Sequence, residues 1–265
     1  MVKAIILAAG MGTRLGKYTK DLPKGMLNFN GKSLIEWQVE TLRACGINDI
    51  VIIKGYMPDK INISGVKYYI NNDFVETNMV ETLFTAEKEM DDEILVCYSD
   101  ILYEKEVIRK ILDAKVDVGV TVDEDYWEYW KARLDEPEDD TESLIIDDDG
   151  KIIDLGDTDC SIDKAKVRYV GLIKFSQKGI ESLKNVYHEN KDKYFDKDEP
   201  WLMSKSFKKA YMTCMLQAII NTGQRVDPIR IRHGWLEFDT IEDYERTSNW
   251  LKTGNLERFF KISNE

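Results

Sequence analysis

The run Leu7-Ala8-Ala9-Gly10-Met11-Gly12-Thr13-Arg14, with Lys24 ten residues beyond Arg14, sets two glycines and fixed positive charge directly behind a short apolar segment, Ala4-Ile5-Ile6-Leu7. Glycines at such a place let the backbone turn tightly and bring its N–H groups up to phosphate oxygens, and Arg14 and Lys24 add charge at the same point. Arg14, Lys17, Lys20 and Lys24 are opposed in that stretch only by Asp21, in a chain of formal net charge −12. The pattern suits a triphosphate. A second set of residues offers hard oxygen ligands: Asp100 follows the apolar run Ile94 to Tyr98, and Glu237-Phe238-Asp239 alternates so that both carboxylates share one face while Leu236 and Phe238 face a core. Mg²⁺ takes one or two carboxylates together with phosphates and water, so Asp100, Glu237 and Asp239 are its candidate ligands. A turn or cap role is the plainer alternative for each of these acids. Convergence of the two acidic segments is an expectation.

These groups need a frame, and the hydrophobic pattern supplies one. Ala4–Leu7 and Ile50–Ile53 are short, continuous apolar runs of the kind that form strands buried on both faces, and Val66–Ile70, Ile94–Tyr98 and Val116–Val122 read as further strands. Helical stripes alternate with them: Ile35, Val39 and Leu42 behind a capping box at Ser33-Leu34-Ile35-Glu36, then Met79, Leu83, Ala86 and Met90, then residues 105–112. The alternation predicts an α/β fold, Rossmann-like, with a doubly wound and mostly parallel sheet whose ligands bind at the carboxyl edge. Residues 125–165 break the rhythm and read as a β-rich insertion over that edge, within a single domain spanning 1–265. Beyond it the pattern predicts a strand at 169–175, helices at 177–186 and 207–221, strands at 224–231 and 235–239, and a last helix capped by Thr240.

Composition excludes several classes. A sequence pI near 4.9 argues against a nucleic-acid surface, because such surfaces draw affinity from Lys and Arg against backbone phosphates. Residues 123–149 hold thirteen acids against Lys131 and Arg133, which predicts a largely solvated projection. Cys45, Cys97, Cys160 and Cys214 form no C-x-x-C pair, so neither zinc nor a disulfide framework is indicated. No apolar run approaches the ~20 residues that span a bilayer, and the amino terminus lacks a signal-peptide pattern; the expected location is the cytoplasm.

Other candidates carry two readings each. Trp127, Tyr129, Trp130 and Arg133 either close over a small polar ligand with a cationic or amide end or pack the acidic arm onto the domain. Asn78 either meets a ligand or caps a helix with Glu81. His233 reads as structural. Aromatic and methionine residues of the last helices either form a homodimer face or fill a core.

Together the Leu7–Arg14 motif with Pro23-Lys24, Asp100 and Trp235-Leu236-Glu237-Phe238-Asp239-Thr240 resemble the nucleotidyltransferases that make nucleoside-diphosphate sugars and CDP-alcohols, over nearly the whole chain. Within that superfamily, Gly55-Tyr56, Asn72-Asp73-Phe74 and Thr77 to Phe84 are similar to the phosphocholine cytidylyltransferase branch. Tyr98-Ser99-Asp100-Ile101, Val122 to Trp130 with Arg133, Glu142-Ser143-Leu144 and Tyr169 to Leu172 resemble the bacterial phosphoglutamine and phosphonate enzymes, from which Arg168 departs by its charge. The resemblance implies a GT-A-like fold and Mg²⁺-dependent transfer of a nucleotidyl group, CMP from CTP, onto a small phosphorylated or phosphonate acceptor with release of pyrophosphate, in decoration of cell-surface polysaccharide or lipid. A sugar-1-phosphate nucleotidyltransferase is the alternative. By the same resemblance Leu7, Ala8, Ala9, Gly10, Gly12, Thr13, Gly55, Tyr56 and Ser99 would hold the nucleotide. Lys24 and Arg14 would act on the α-phosphate and the departing pyrophosphate. Asn78, Trp127, Trp130, Arg133, Glu142 and Tyr169 would meet the acceptor. No nucleic-acid or membrane partner is implied.

Overall fold

Along Lys3–Ala8 every residue is buried, and successive side chains go to opposite layers: Ala4, Ile6 and Ala8 join one apolar cluster, Ile5 and Leu7 the other. Burial on both faces is why this run is apolar without a break. The computed structural model describes residues 2–262. In chain order its elements are β1 (Lys3–Ala8), β2 (Asn28–Phe29), β3 (Lys32–Ser33), α1 (Leu34–Ala44), β4 (Ile50–Lys54), β5 (Lys67–Ile70), α2 (Met79–Phe84), β6 (Ile94–Tyr98), β7 (Ile101–Tyr103), α3 (Lys105–Asp113), β8 (Val118–Asp123), α4 (Tyr126–Arg133), β9 (Leu144–Ile146), β10 (Ile152–Leu155), β11 (Arg168–Phe175), α5 (Gln177–Tyr194), α6 (Met212–Asn221), β12 (Asp227–Ile231), β13 (Trp235–Glu237) and α7 (Ile241–Thr253).

Seven strands form the main sheet in the order β12-β8-β11-β6-β1-β4-β5, parallel throughout except for β11, which runs against both neighbours. Helices α1, α3 and α4 cover one face and α2, α5 and α6 the other. The fold is therefore the doubly wound, mostly parallel α/β architecture that the pattern implied. The capping box read at Ser33 and Glu36 opens α1, and Thr240 caps α7 as read, there completing a second capping box with Asp243 that the sequence reading did not name.

Other elements differ from the sequence pattern, each for a tertiary reason. The Met79–Met90 stripe does not make one helix, because α2 stops at Phe84 and a 3-10 turn at Glu87–Glu89 brings Glu89 to Lys3 and Tyr69. The 207–221 stretch splits into a 3-10 turn at Phe207–Lys209 and α6, and α5 runs on to Tyr194. The insertion opens with a helix, α4, before the β9–β10 hairpin, so it is not β-rich from the start. Nor is the acidic run simply projected into solvent: Asp123 is fully buried, accepting from the His233 and Asp125 backbone and from Trp235 Nε1. The methionines of α6, Met212 and Met215, are core residues, not a surface face. All four cysteines are free, and among the described residues no helix is long and apolar enough to cross a membrane.

Candidate active site

Strand order reverses at β1: the chain lays β4 and β5 on one side of it and returns to place β6 on the other. The loops leaving β1 and β6 must then part at the sheet's carboxyl edge and open a crevice between them. Leu7 is in register with Tyr98, and just beyond that pair Gly10, Ser99 and Asp100 line one cleft. The loop is drawn down onto Lys24. Gly12 has φ +65°, a region L side chains avoid, and a Cβ there would lie 2.8 Å from Lys24 Cβ. Thr19 Oγ1 donates to the Gly12 carbonyl at 2.7 Å. On the far side, the Tyr56 N–H donates to the Ala9 carbonyl at 3.1 Å, and a Cβ on Gly55 would come within 2.8 Å of that same oxygen.

The acids arrive by a route outside the main sheet. β7 and β13 form a two-stranded antiparallel ribbon with Ile101 opposite Glu237, and the Phe238 N–H donates to the Asp100 carbonyl at 3.0 Å. Asp100 and Asp239, distant in sequence, thereby reach one cation. Lys24 Nζ lies 2.6 Å from Asp100 Oδ2 and 2.7 Å from Asp239 Oδ1, and an Arg14 guanidinium nitrogen lies 2.5 Å from Asp239 Oδ2. Burial works against the Lys24 charge, but attraction to Asp100 and Asp239, with its hydrogen bonds to both, outweighs that and holds its pKa above the usual lysine value.

Two carboxylates already sharing a cation suit a magnesium ion as well. Asp100 Oδ1 is buried without a hydrogen-bond partner among the described residues, so a ligating oxygen stands spare. No cluster of three or more metal-ligating side chains occurs among the described residues, yet Mg²⁺ asks for only one or two carboxylates besides phosphates and water. Asp100 and Asp239 are the pair that fits. Glu237, expected beside them, turns elsewhere: its Oε2 accepts from Arg133 at 2.6 Å, and its N–H donates to Tyr129 Oη at 3.0 Å.

That contact corrects the expectation for the aromatic cluster. Arg133 is 2% exposed and forks onto Asp243, Nε to Oδ1 at 3.0 Å and Nη2 to Oδ2 at 2.8 Å. Asp243 Oδ2 also accepts from the Asp239 and Thr240 N–H groups, so the Arg133–Asp243 pair sets the backbone that carries Asp239. Trp130 is fully buried, donates to the Asp140 carbonyl, and has the Arg133 and Arg168 guanidiniums against its ring at 4.6 and 4.4 Å. Trp127 is half-buried against the core. None of the three lines either of the two cavities at the site; they pack the insertion onto the domain and position the acids.

Two cavities share Asn78, Met79, Tyr98 and Asp100 in their walls, with Lys24 on the smaller and Asp239 on the larger. A cleft of about 110 Å³ is lined by Leu7, Ala9, Gly10, Lys24, Ser99 and Asp100, with Phe74, Thr77 and Thr82 opposite. A larger space of about 640 Å³, within the range of small-molecule sites, takes in Arg14, Asn78, Glu142, Tyr169, Glu237 and Asp239. Ala8 is buried inside β1, Gly12 and Thr13 shape the loop, and Tyr56 braces it without lining either space. Asn78 does cap α2, accepting from the Met79 N–H at 2.9 Å, and Glu81 is held not by a capping box but by Tyr187 and Lys191. Asp140, Arg168, Met203, Lys205 and Tyr211 are also part of the larger wall. Sequence reasoning noted Arg168 only as a departure in charge and passed over the other four, and over Asp243, for which the Thr240-x-x-Asp243 spacing was a usable signal.

Burial lifts the Asp140 carboxyl from its ordinary 3.8 to about 6, against the pull of Arg168. Between those values the folded chain binds the proton that the unfolded chain has released, so this group costs stability as pH rises from about 4 to 6. Asp140→Asn should therefore melt with the parent near pH 4 and above it at pH 7. Equal melting temperatures at pH 7 would contradict this.

A doubly wound sheet with a glycine-basic loop and paired acids at its carboxyl edge defines a nucleotidyltransferase. The chain belongs to the MobA-like NTP transferase domain family, whose model matches residues 4–214. It is 33% identical over 256 residues to a CTP:phosphoglutamine cytidylyltransferase of Campylobacter jejuni, covering 92% of this chain and 98% of that protein. It is 37% identical over 106 residues to a choline-phosphate cytidylyltransferase of Streptococcus pneumoniae, 38% of this chain and 46% of that one. Among solved structures, a CTP:phosphocholine cytidylyltransferase from Streptococcus pneumoniae superposes with a TM-score of 0.71 at 24% identity, over 94% of this chain and 99% of the other. An inositol-1-phosphate CTP transferase from T. maritima gives 0.69 at 16%, over 98% of each. At these identities the two structures establish the fold.

Proposed function

We propose that this enzyme transfers CMP from CTP to a small phosphorylated or phosphonate acceptor and releases pyrophosphate, its product serving decoration of cell-surface polysaccharide or lipid. The observation that carries the reading is the Asp100–Lys24–Asp239 bridge directly beneath the glycine loop. The choice of CTP rests on the substrate named for the Campylobacter relative, which matches along nearly its full length.

An oxyanion of the acceptor attacks the α-phosphorus, the bond from that phosphorus to the bridging oxygen breaks, and the electron pair leaves with pyrophosphate. That oxyanion is already ionised near neutral pH, so no general base is needed and the work reduces to alignment and neutralisation of charge. Lys24, buried and held cationic, supports charge growing on the α-phosphate. Arg14, largely exposed at the mouth, meets the leaving pyrophosphate. Bound by Asp100 and Asp239, Mg²⁺ would supply further neutralisation of phosphate oxygens. Arg133 and Asp243 hold the segment that bears Asp239.

The test is a matrix of four nucleoside triphosphates against phosphocholine, phosphoglutamine, 2-aminoethylphosphonate, glycerol phosphate and sugar 1-phosphates with Mg²⁺, read as pyrophosphate and by product mass. CTP with one of the non-sugar acceptors should dominate. Turnover confined to sugar 1-phosphates would replace this reading with NDP-sugar synthesis.

A further inference from the structure

Arg168 is the one cation on the larger cavity's wall that combines deep burial with unspent donors. Its side chain is 10% exposed, and it lines the 640 Å³ space. Of the five N–H groups a guanidinium carries, one is committed, Nη1 to the Asp140 carbonyl at 3.0 Å; Nε is buried with no partner among the described residues. The nearest carboxylate, Asp140 Oδ2, is 3.8 Å from Nη2, beyond a hydrogen bond. Its guanidinium carbon lies over the Trp130 ring, 4.4 Å from the centroid, an attractive contact that helps hold the fork in place. Arg133, on the same indole, shows the contrast: Asp243 and Glu237 take up its donors.

Leaving a buried donor unmade is costly, and a planar fork with free N–H groups matches a tetrahedral or planar oxyanion. It shares that cavity's wall with Glu237 and Asp239. The proposed reaction brings one anion against another; Lys24 lines the smaller cleft, and Arg14 reaches the larger cavity but is largely exposed and paired with Asp239. We infer that Arg168 is the clamp for the acceptor's reacting phosphate or phosphonate group, a specificity residue that makes the enzyme select anionic acceptors. The inference rests on the function proposed above.

Steady-state kinetics of the full chain and of Arg168→Gln and Arg168→Lys, with phosphoethanolamine and phosphoserine as a pair differing by a carboxylate, tests it. Arg168→Gln should raise the acceptor KM roughly ten- to a hundredfold for both compounds, the loss expected for a charge-assisted hydrogen bond, and leave the CTP KM within about twofold. The lysine variant, with charge but no fork, should fall between. An unchanged acceptor KM overturns the inference, as does a loss confined to phosphoserine, which would assign the fork to a carboxylate. Calorimetry with inorganic phosphate, in the presence of α,β-methylene CTP to fill the nucleotide cleft, needs no turnover. There, at least tenfold weaker binding by a normally melting Arg168→Lys chain supports the clamp and equal binding overturns it. Absence of turnover by the parent with every acceptor, alongside that phosphate result, would strike the proposed reaction and leave the anion site standing.

Discussion

Lys24→Met should lower kcat about a hundred- to a thousandfold, the usual cost of losing one preorganised group aimed at charge that develops in the transition state. The effect should fall mainly on kcat, because Arg14 and the loop's backbone N–H groups remain to bind triphosphate. The same change removes the cation that Asp100 and Asp239 share, and those side chains are only 17% and 14% exposed. Their mutual repulsion should lower the melting temperature of the variant, and added Mg²⁺ should restore more of it than it adds to the parent, since a ligand stabilises whichever folded state binds it more tightly. A kcat within about threefold of the parent would remove Lys24 from the chemistry.

The largest loss of stability is expected at Arg133. Burial opposes its charge, and Glu237, Tyr129 and Asp243 together keep it firmly protonated. Arg133→Met leaves Asp243, fully buried, facing its partner's empty place. Breaking a buried pair from one side costs about 3–5 kcal/mol, which for a chain of this size lowers the melting temperature by roughly 6–20 °C. Activity should fall as well, since Asp243 also holds the Asp239 N–H. Arg133→Lys keeps the charge without the bidentate fork and should lie between. A melting temperature within about 2 °C of the parent would mean that the fork contributes little.

Local chemistry was legible where a signal sits within a few residues. The β1 run, the Ser33 and Thr240 caps and the alternation of Leu236 and Phe238 against Glu237 and Asp239 all depend on neighbours in the chain, and each stands in the structure as read. The aromatic–arginine group at 127–133 was legible only as a choice between binding and packing. Its residue types serve either purpose, and what decided was the position of Asp243, more than a hundred residues on. Arg168 showed the reverse: a lone basic residue at the head of a strand has no periodicity to mark it, and its meaning lies in which donors its neighbours leave unused.

By itself the amino-acid sequence determined a parallel α/β sheet with a phosphate-suited turn after its first strand, because strand burial, helix capping and tight turning are properties of short segments. Only the tertiary structure decided that Asp100 and Asp239 meet on Lys24 while Glu237 is drawn off to Arg133. That outcome depends on the β7–β13 ribbon, whose register is set by burial of Leu236 and Phe238 against the rest of the core, and no local pattern encodes the partner of a strand lying outside the main sheet.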